Sequence, residues 1–189
     1  MGIIVTLSGS SGSGKTTLAE EIISQLCGRM IESVTSRPPR ERDKQGEFLY
    51  LTPEEFECAE KRKEFLWVTP LIHGSRYGTL KESVGQALRE DGIRLMIITV
   101  GYTRHLAAFA GYHSRCIANL HILSPGEEIL RERLTRRGDS LEEIEKRLDE
   151  CKEWDMEARA IRCSRIHLLT NTGNRDDLFH QAGKIIKAF

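Results

Sequence analysis

Gly9-Ser10-Ser11-Gly12-Ser13-Gly14-Lys15-Thr16 narrows what this chain can fold into more than any other stretch. It fits G-x-x-x-x-G-K-[ST], a loop that cradles phosphates. The apolar run Ile3-Ile4-Val5-Thr6-Leu7 before it reads as a buried strand, and Thr17–Leu26 after it carries apolar residues at helical spacing. Strand, glycine-rich turn and helix are the context in which the motif acquires a physical meaning. Glycines let backbone N–H groups turn inward onto phosphate oxygens, and the helix N-terminus adds its dipole and its unpaired amides. The expected ligands of the triphosphate are Gly9, Gly12, Ser13, Gly14, Lys15, Thr16 and Thr17. Lys15 reaches the β- and γ-phosphates, and Thr16 offers a hydroxyl to Mg²⁺. The chain is expected to bind a nucleoside triphosphate.

Length and charge exclude several alternatives. The 189 residues suit one domain with a sizeable core. A formal net charge of +0 gives no global attraction for nucleic acid or an acidic membrane surface, so charge-driven recognition must come from local clusters. The five cysteines are odd in number and contain no C-x-x-C pair, which supports neither a disulfide framework nor a cysteine metal site. No apolar run approaches membrane-spanning length and no cleavable leader is evident, so a reducing cytoplasm is expected.

Strand and helix patterns alternate along the rest of the chain. Met30–Val34, Phe48–Leu51, Phe65–Val68, Leu95–Val100, Leu120–Leu123 and Ile166–Leu169 read as strands, with Leu71-Ile72 as a further short one. Capping boxes at Thr52–Glu55, Thr79–Glu82 and Ser140–Glu143, and a cap at Ser124–Glu127, open helices. Residues 103–110 and 174–188 complete the helical set, and Gly74–Gly78 reads as a link of turns. Thr35–Gly46 is a basic loop that Pro38 and Pro39 keep from being helical. Alternation of this kind argues a parallel sheet covered on both faces. His121 and His167 on the strands read as core histidines, while His73 in the turn is a candidate for substrate contact.

With the glycine-rich loop, Arg37-Pro38-Pro39-Arg40, Tyr77-Gly78-Thr79 and the arginine-rich break Arg133–Arg137 in order, the chain resembles the guanylate kinase family over nearly its whole length. The resemblance implies an α/β P-loop nucleoside monophosphate kinase fold over 1–189. It would have a five-stranded parallel core sheet with helices on both faces, an acceptor-binding insert at about 34–78 and a lid near 133–147. It implies transfer of the γ-phosphoryl of ATP·Mg²⁺ to the phosphate of a small acceptor, GMP or another nucleoside monophosphate, by a monomer or homodimer. Ser33, Arg37 and Arg40 would hold the acceptor phosphate, since guanidinium forks match phosphate oxygens bidentately. Tyr77, Thr79 and Thr99 would complete the acceptor site. Arg133, Arg137 and Arg147 would stabilise charge on the transferring group beside Lys15. Arg131 and Arg136 are read as bystanders paired on a helix face.

The sequence also departs from the family. Leu49 stands where the family has a phosphate-binding tyrosine, with Tyr50 beside it. Trp67-Val68-Thr69 and Thr99 stand where two carboxylates read guanine. Ribose 1,5-bisphosphate kinases share the fold, read no base and carry a turn like His73-Gly74-Ser75-Arg76-Tyr77-Gly78, which makes that acceptor the alternative. A catalytically silent guanylate-kinase-like interaction domain is the alternative of another class.

Overall fold

The computed structural model describes residues 2–40, 43, 46–71, 74–111, 116–162 and 165–189. His73, Ile72, Cys163 and four residues of the basic loop therefore lie outside the described residues.

The core is a five-stranded parallel sheet in the order β2-β7-β1-β8-β9, built from Arg29–Met30, Ile93–Ile97, Ile3–Ser8, Ile117–Ile122 and Ile166–Leu169. The period-2 alternation of a strand divides each apolar run between two faces. Val5 and Leu7 of β1, with Leu95, Ala118, Leu120 and Ile122, pack against helices α1 (Lys15–Leu26) and α7 (Arg175–Ile186). Ile4, Met96 and Ile117 face the other way, onto α3 (Lys81–Arg89) and α4 (Thr103–Ala110). That second face also carries two polar cross-strand pairs. Thr6 donates to Asn119 at 2.9 Å, and Ser8 pairs with His121 at 3.0 Å, each within the β1–β8 register. Buried polar groups of this kind are tolerated because they are satisfied.

A second sheet, in the order β4-β3-β6-β5, is formed by Phe48–Tyr50, Ser33–Thr35, Tyr77–Leu80 and Phe65–Val68. Met30–Val34 is thus two strands: Arg29–Met30 joins the core sheet and Ser33–Thr35 the second one. Tyr77–Leu80, read as turn and cap, is a strand whose Thr79 is paired opposite Trp67. The helix that follows has Leu80 at its N-cap and no side-chain cap, so the Thr79–Glu82 capping box does not form. Leu71 is irregular. Helix α2 (Pro53–Lys61) closes this sheet, its Phe56 stacked on Phe65 with centroids 4.6 Å apart.

Helices α5 (Glu127–Arg136) and α6 (Leu141–Ala160) form a hairpin with its own apolar seam of Leu130, Leu134, Ile144, Leu148 and Cys151. The Ser140–Glu143 capping box forms as expected, whereas α5 starts from Gly126 without a side-chain cap. Ser124 instead donates its N–H to Asp155 of α6 at 3.0 Å. His121 is fully buried between Ser8 and the same Asp155, 2.9 Å from its Nε2. A carboxylate acceptor there assigns the imidazole proton to Nε2 and leaves Nδ1 to accept from Ser8. His167 is no such satisfied core residue: its Nε2 is buried without a hydrogen-bond partner, beside the ring of Phe189. Among the described residues no helix is long and apolar enough to cross a membrane, and Cys27, Cys58, Cys116 and Cys151 are free thiols.

Candidate active site

Strand β1 ends at Ser8, and the backbone then turns through Gly9 and Gly14 with φ of 139° and 106° before α1 begins at Lys15. These are left-handed values that side chains resist, and space is also short. A Cβ on Gly9 would lie 2.5 Å from the Ile122 carbonyl oxygen, and one on Gly14 2.9 Å from the Asn171 amide. Helices α2, α5, α6 and α7 each carry two acidic residues in the first turn; α1 carries none. Its dipole and first amides are left for an external anion. The hydroxyls of Ser10 and Ser13 are buried there without hydrogen-bond partners.

Lys15 folds back over the loop, its Nζ donating to the carbonyls of Gly9 and Ser10, each at 2.8 Å. Desolvation first, then the nearby charges of Arg137 and Arg147, pull its pKa down to about 8. The arginines of the α5–α6 hairpin reach the same loop from above. Arg133 donates to the Gly12 carbonyl at 3.0 Å, while Arg137 and Arg147 both donate to the Ser11 hydroxyl, at 3.1 and 2.8 Å. Asp139, at the turn of the hairpin, pairs with Arg137 and lies 3.3 Å from Arg147 Nε. The structure therefore brings Lys15, Arg133, Arg137 and Arg147 to one place. Arg131 pairs with Glu127 and Glu145, and Arg136 with Glu132, although Arg136 also lines the cavity over the phosphate loop.

Lys15 lines three cavities: one of about 620 Å³ lies against Glu143, Arg147 and Trp154 of α6, and the other two border the phosphate loop and the second sheet. Of these latter two, the larger, of about 530 Å³, runs past Gly12, Gly14, Thr16 and Thr17 between Arg133 and Asn171. The smaller, of about 270 Å³, is lined by Ser33, Tyr77, Thr79 and Thr99 together with Thr69, Trp67 and Tyr102. Trp67 and Tyr102 stack with centroids 5.4 Å apart at 14°, and the Tyr102 hydroxyl donates to the Val68 carbonyl, so this wall is rigid and apolar. Thr99 is the N-cap of the short 3₁₀ turn Val100–Tyr102, but its hydroxyl makes no cap bond and is left to the cavity.

The basic loop behaves differently from the rest of the acceptor set. Arg37 is buried and Arg40 exposed, and neither lines the smaller cavity. Arg37 is held by Asp43 through a bidentate pair, both contacts at 2.7 Å. Tyr50 also donates to Asp43, at 2.7 Å, while Leu49 points to solvent, 40% exposed. The strand alternation turns the Tyr50 phenol inward onto Asp43 and the Leu49 side chain outward.

Sequence reasoning missed three further residues. Asn171 braces the phosphate loop by donating to the Ser13 carbonyl. Trp154, the residue before the Asp155 anchor on α6, lines the smaller cavity. Asp43, six residues after Arg37, is the third. A polar pair, Thr170-Asn171, directly after the last core strand marks Asn171; nothing in the sequence marks Trp154 or Asp43.

Residues 2–159 match the family model described as guanylate kinase. Among curated proteins the chain is 33% identical over 153 residues to guanylate kinase of Porphyromonas gingivalis, covering 79% of this chain and 80% of that one. It is 36% identical over 151 residues to guanylate kinase of Bacteroides thetaiotaomicron, covering 78% and 72%. Among solved structures, guanylate kinase from Anaplasma phagocytophilum superposes with a TM-score of 0.71 at 19% identity, over 99% of this chain and 85% of that one. A gluconokinase from Sinorhizobium meliloti superposes with 0.55 at 16% identity, over 99% and 92%. At those identities the superpositions speak for the fold alone, and they agree with the five-stranded parallel core.

Proposed function

This chain belongs to the guanylate kinase family, and from that premise we propose that it moves the γ-phosphoryl group of ATP to the phosphate of a nucleoside monophosphate, GMP first. The observation that carries this reading is the position of Lys15, whose side chain lines both the cavity along the phosphate loop and the smaller one at the second sheet. A phosphoryl group passing between a donor in one and an acceptor in the other crosses beside its ammonium. Phosphoryl transfer needs positioning and charge stabilisation more than covalent chemistry. In this reading the cavity along the phosphate loop takes the triphosphate over Gly9, Gly12, Ser13, Gly14, Thr16 and Thr17. The Ser10 and Ser13 hydroxyls, buried in the phosphate loop without partners, support a polar ligand on that loop.

The α5–α6 turn, about 133–147, acts as the lid and the second sheet with α2 as the acceptor-binding insert. Arg133, Arg137 and Arg147 spread positive charge over the transferring group, and Ser33, Tyr77, Thr79 and Thr99 contact the acceptor. Mg²⁺ would arrive with ATP, and the exposed Thr16 hydroxyl at the start of α1 is a hard oxygen donor suited to it. Bound there, Mg²⁺ would neutralise charge on the β- and γ-phosphates. A cytoplasmic enzyme acting on soluble nucleotides fits this chemistry. Family membership favours this acceptor class over ribose 1,5-bisphosphate and over a catalytically silent module.

A coupled ADP-release assay over the nucleoside monophosphates and ribose 1,5-bisphosphate tests the proposal. Turnover with GMP is expected. Turnover confined to ribose 1,5-bisphosphate, or none with any acceptor despite ATP binding, would overturn it.

A further inference from the structure

Four hydrogen-bond donors converge on the carboxylate of Asp43. Arg37 grips it through Nη1 and Nη2, and the Arg40 backbone N–H and the Tyr50 hydroxyl each reach Oδ2, all at 2.7 Å. The pair is nearly dry: the Arg37 side chain is 5% exposed and that of Asp43 11%. The Arg37 guanidinium lies 4.7 Å from the Phe48 ring centroid and 5.8 Å from that of Tyr50. This clasp holds Asp43 well below the usual carboxylate range and Arg37 above its own.

A planar fork, a backbone amide and a phenol gathered on one anion are the donors that a phosphate monoester would use. The clasp also abuts the acceptor cavity. Phe48 and Tyr77 line that cavity, and the Phe48 ring and the Tyr77 phenol group also border Arg37. Arg37, Asp43 and Tyr50 themselves do not line it. The cavity accordingly presents hydroxyls and rings beside Lys15 and Glu47, while the buried Arg37 guanidinium next to it is already paired with a carboxylate.

From this arrangement we infer that Asp43 is an intramolecular stand-in for the acceptor phosphate, occupying the Arg37–Arg40–Tyr50 subsite until a phosphate monoester takes its donors. The inference rests on the proposed guanylate-kinase reading, in which the family resemblance implies that Arg37 and Arg40 hold the acceptor phosphate. Exchange of one anion for another keeps the buried guanidinium paired at every stage, which avoids an uncompensated buried charge. It also sets a threshold. A phosphate monoester brings a charge of about −1.5 to −2 at neutral pH and three acceptor oxygens, whereas the carboxylate brings −1 and two. A doubly charged monoester can displace Asp43, and a singly charged ester competes at a disadvantage. Asp43 is thus a specificity-determining residue for the charge of the acceptor. It lowers apparent affinity by the fraction of molecules in which the subsite is open.

Calorimetric titration of the full chain with GMP, in wild type, Asp43→Asn and Arg37→Ala, tests this. Asp43→Asn removes the competing charge at nearly constant shape. The expected result is GMP binding tighter by about tenfold, as for a subsite otherwise open in one molecule in ten, with ATP affinity unchanged. Arg37→Ala is expected to weaken GMP binding. Weaker or unchanged GMP affinity in Asp43→Asn, with Arg37→Ala still weakening it, would mean that Asp43 only positions Arg37 and would overturn the inference. Unchanged GMP affinity in Arg37→Ala would instead remove the acceptor-subsite reading, and this inference with it. A measurement on wild type alone guards against a variant that does not fold. The singly charged phosphate methyl ester of GMP should bind more weakly than GMP. Equal affinity would overturn the inference.

Discussion

Arg147 of α6 donates to the hydroxyl of Ser11 in the phosphate loop at 2.8 Å, closing a contact across 136 residues of chain. Arg137 shares that hydroxyl, and Asp139 faces both guanidinium groups. A serine hydroxyl is a weak partner for two cations, so a triphosphate entering the loop exchanges a poor acceptor for strong ones. Arg147→Ala is therefore expected to lower kcat by about 10²-fold, the usual cost of one charge-stabilising donor. Thermal stability should change little, because partly exposed pairs contribute at most about 1 kcal/mol. Steady-state kinetics beside a melting curve would check this; unchanged kcat would remove Arg147 from the reaction.

Lys15→Ala is expected to keep the fold and lose about 10²–10³-fold in turnover. Nζ binds only two backbone carbonyls of its own loop, so few packing contacts go with it. Circular dichroism and ADP release together decide the matter. A folded variant with undiminished activity would end the mechanism written above.

The depressed pKa of Lys15 also gives a proton count. At about 8, half of the free protein carries a neutral amine near pH 8, and phosphate oxygens favour the ammonium. ATP binding must then take up protons, about a tenth of one at pH 7 and close to one at pH 9, by simple titration about that value. Calorimetry of ATP binding at pH 9 in buffers of different ionisation enthalpy reads this directly. Lys15→Arg, cationic throughout, should abolish the uptake. No uptake in the wild type would show that Lys15 does not sense the phosphates.

His121 and Asp155 give a stability prediction separate from catalysis. Burial lowers the His121 pKa, and Asp155 works in the opposite sense. A histidine whose folded pKa lies below its unfolded value near 6.5 contributes fully above that pH, and its contribution fades as the pH falls below it. Asp155→Asn takes away the opposing carboxylate and perturbs the acceptor of the Ser124 N–H. Unfolding in urea should show a loss of about 1–3 kcal/mol, larger at pH 5 than at pH 8. A pH-independent loss would mean that His121 stays neutral over the whole range.

How far these features were legible in the sequence depends on whether a local or a distant partner fixes them. The phosphate loop was legible because Gly9, Gly14 and Lys15 are dictated by the backbone of a single turn. The core strands were legible because burial on both faces leaves continuous apolar runs. Tyr77–Leu80 was not. Its glycine and threonine read as a turn and a cap, yet pairing with Ser33–Thr35 and Phe65–Val68 makes it a strand. Ser124 failed as a cap because α5 starts two residues later, from Gly126, which leaves the Ser124 hydroxyl buried without a partner while its N–H goes to Asp155. The arginines of the α5–α6 turn were legible as a set, and the structure brings them together. For Arg37 the fork was legible but its occupant was not, since Asp43 is one acid among many until the loop closes on it.

The last prediction concerns the base of the acceptor. Thr99 stands where the family resemblance expects a carboxylate, at the edge of a cavity whose floor is the Trp67–Tyr102 stack. Ring stacking and threonine hydroxyls hold a purine without asking much of its edge, and neutral acceptors bind N–H donors about half as strongly as carboxylates do. GMP, dGMP and at least one other monophosphate are therefore expected to turn over within about tenfold of one another in kcat/KM. Thr99→Asp restores a charged acceptor at a position whose hydroxyl makes no cap bond. Aspartate is itself a good N-cap, so the short turn should survive the change. Guanine N1–H and N2–H₂ would gain a carboxylate partner that adenine cannot use, and the GMP-to-AMP ratio of kcat/KM should rise by about tenfold. Parallel kinetics on wild type and variant measure the ratio. A wild type already selective by a hundredfold or more, or a ratio unmoved by Thr99→Asp, would show that Thr99 does not face the base.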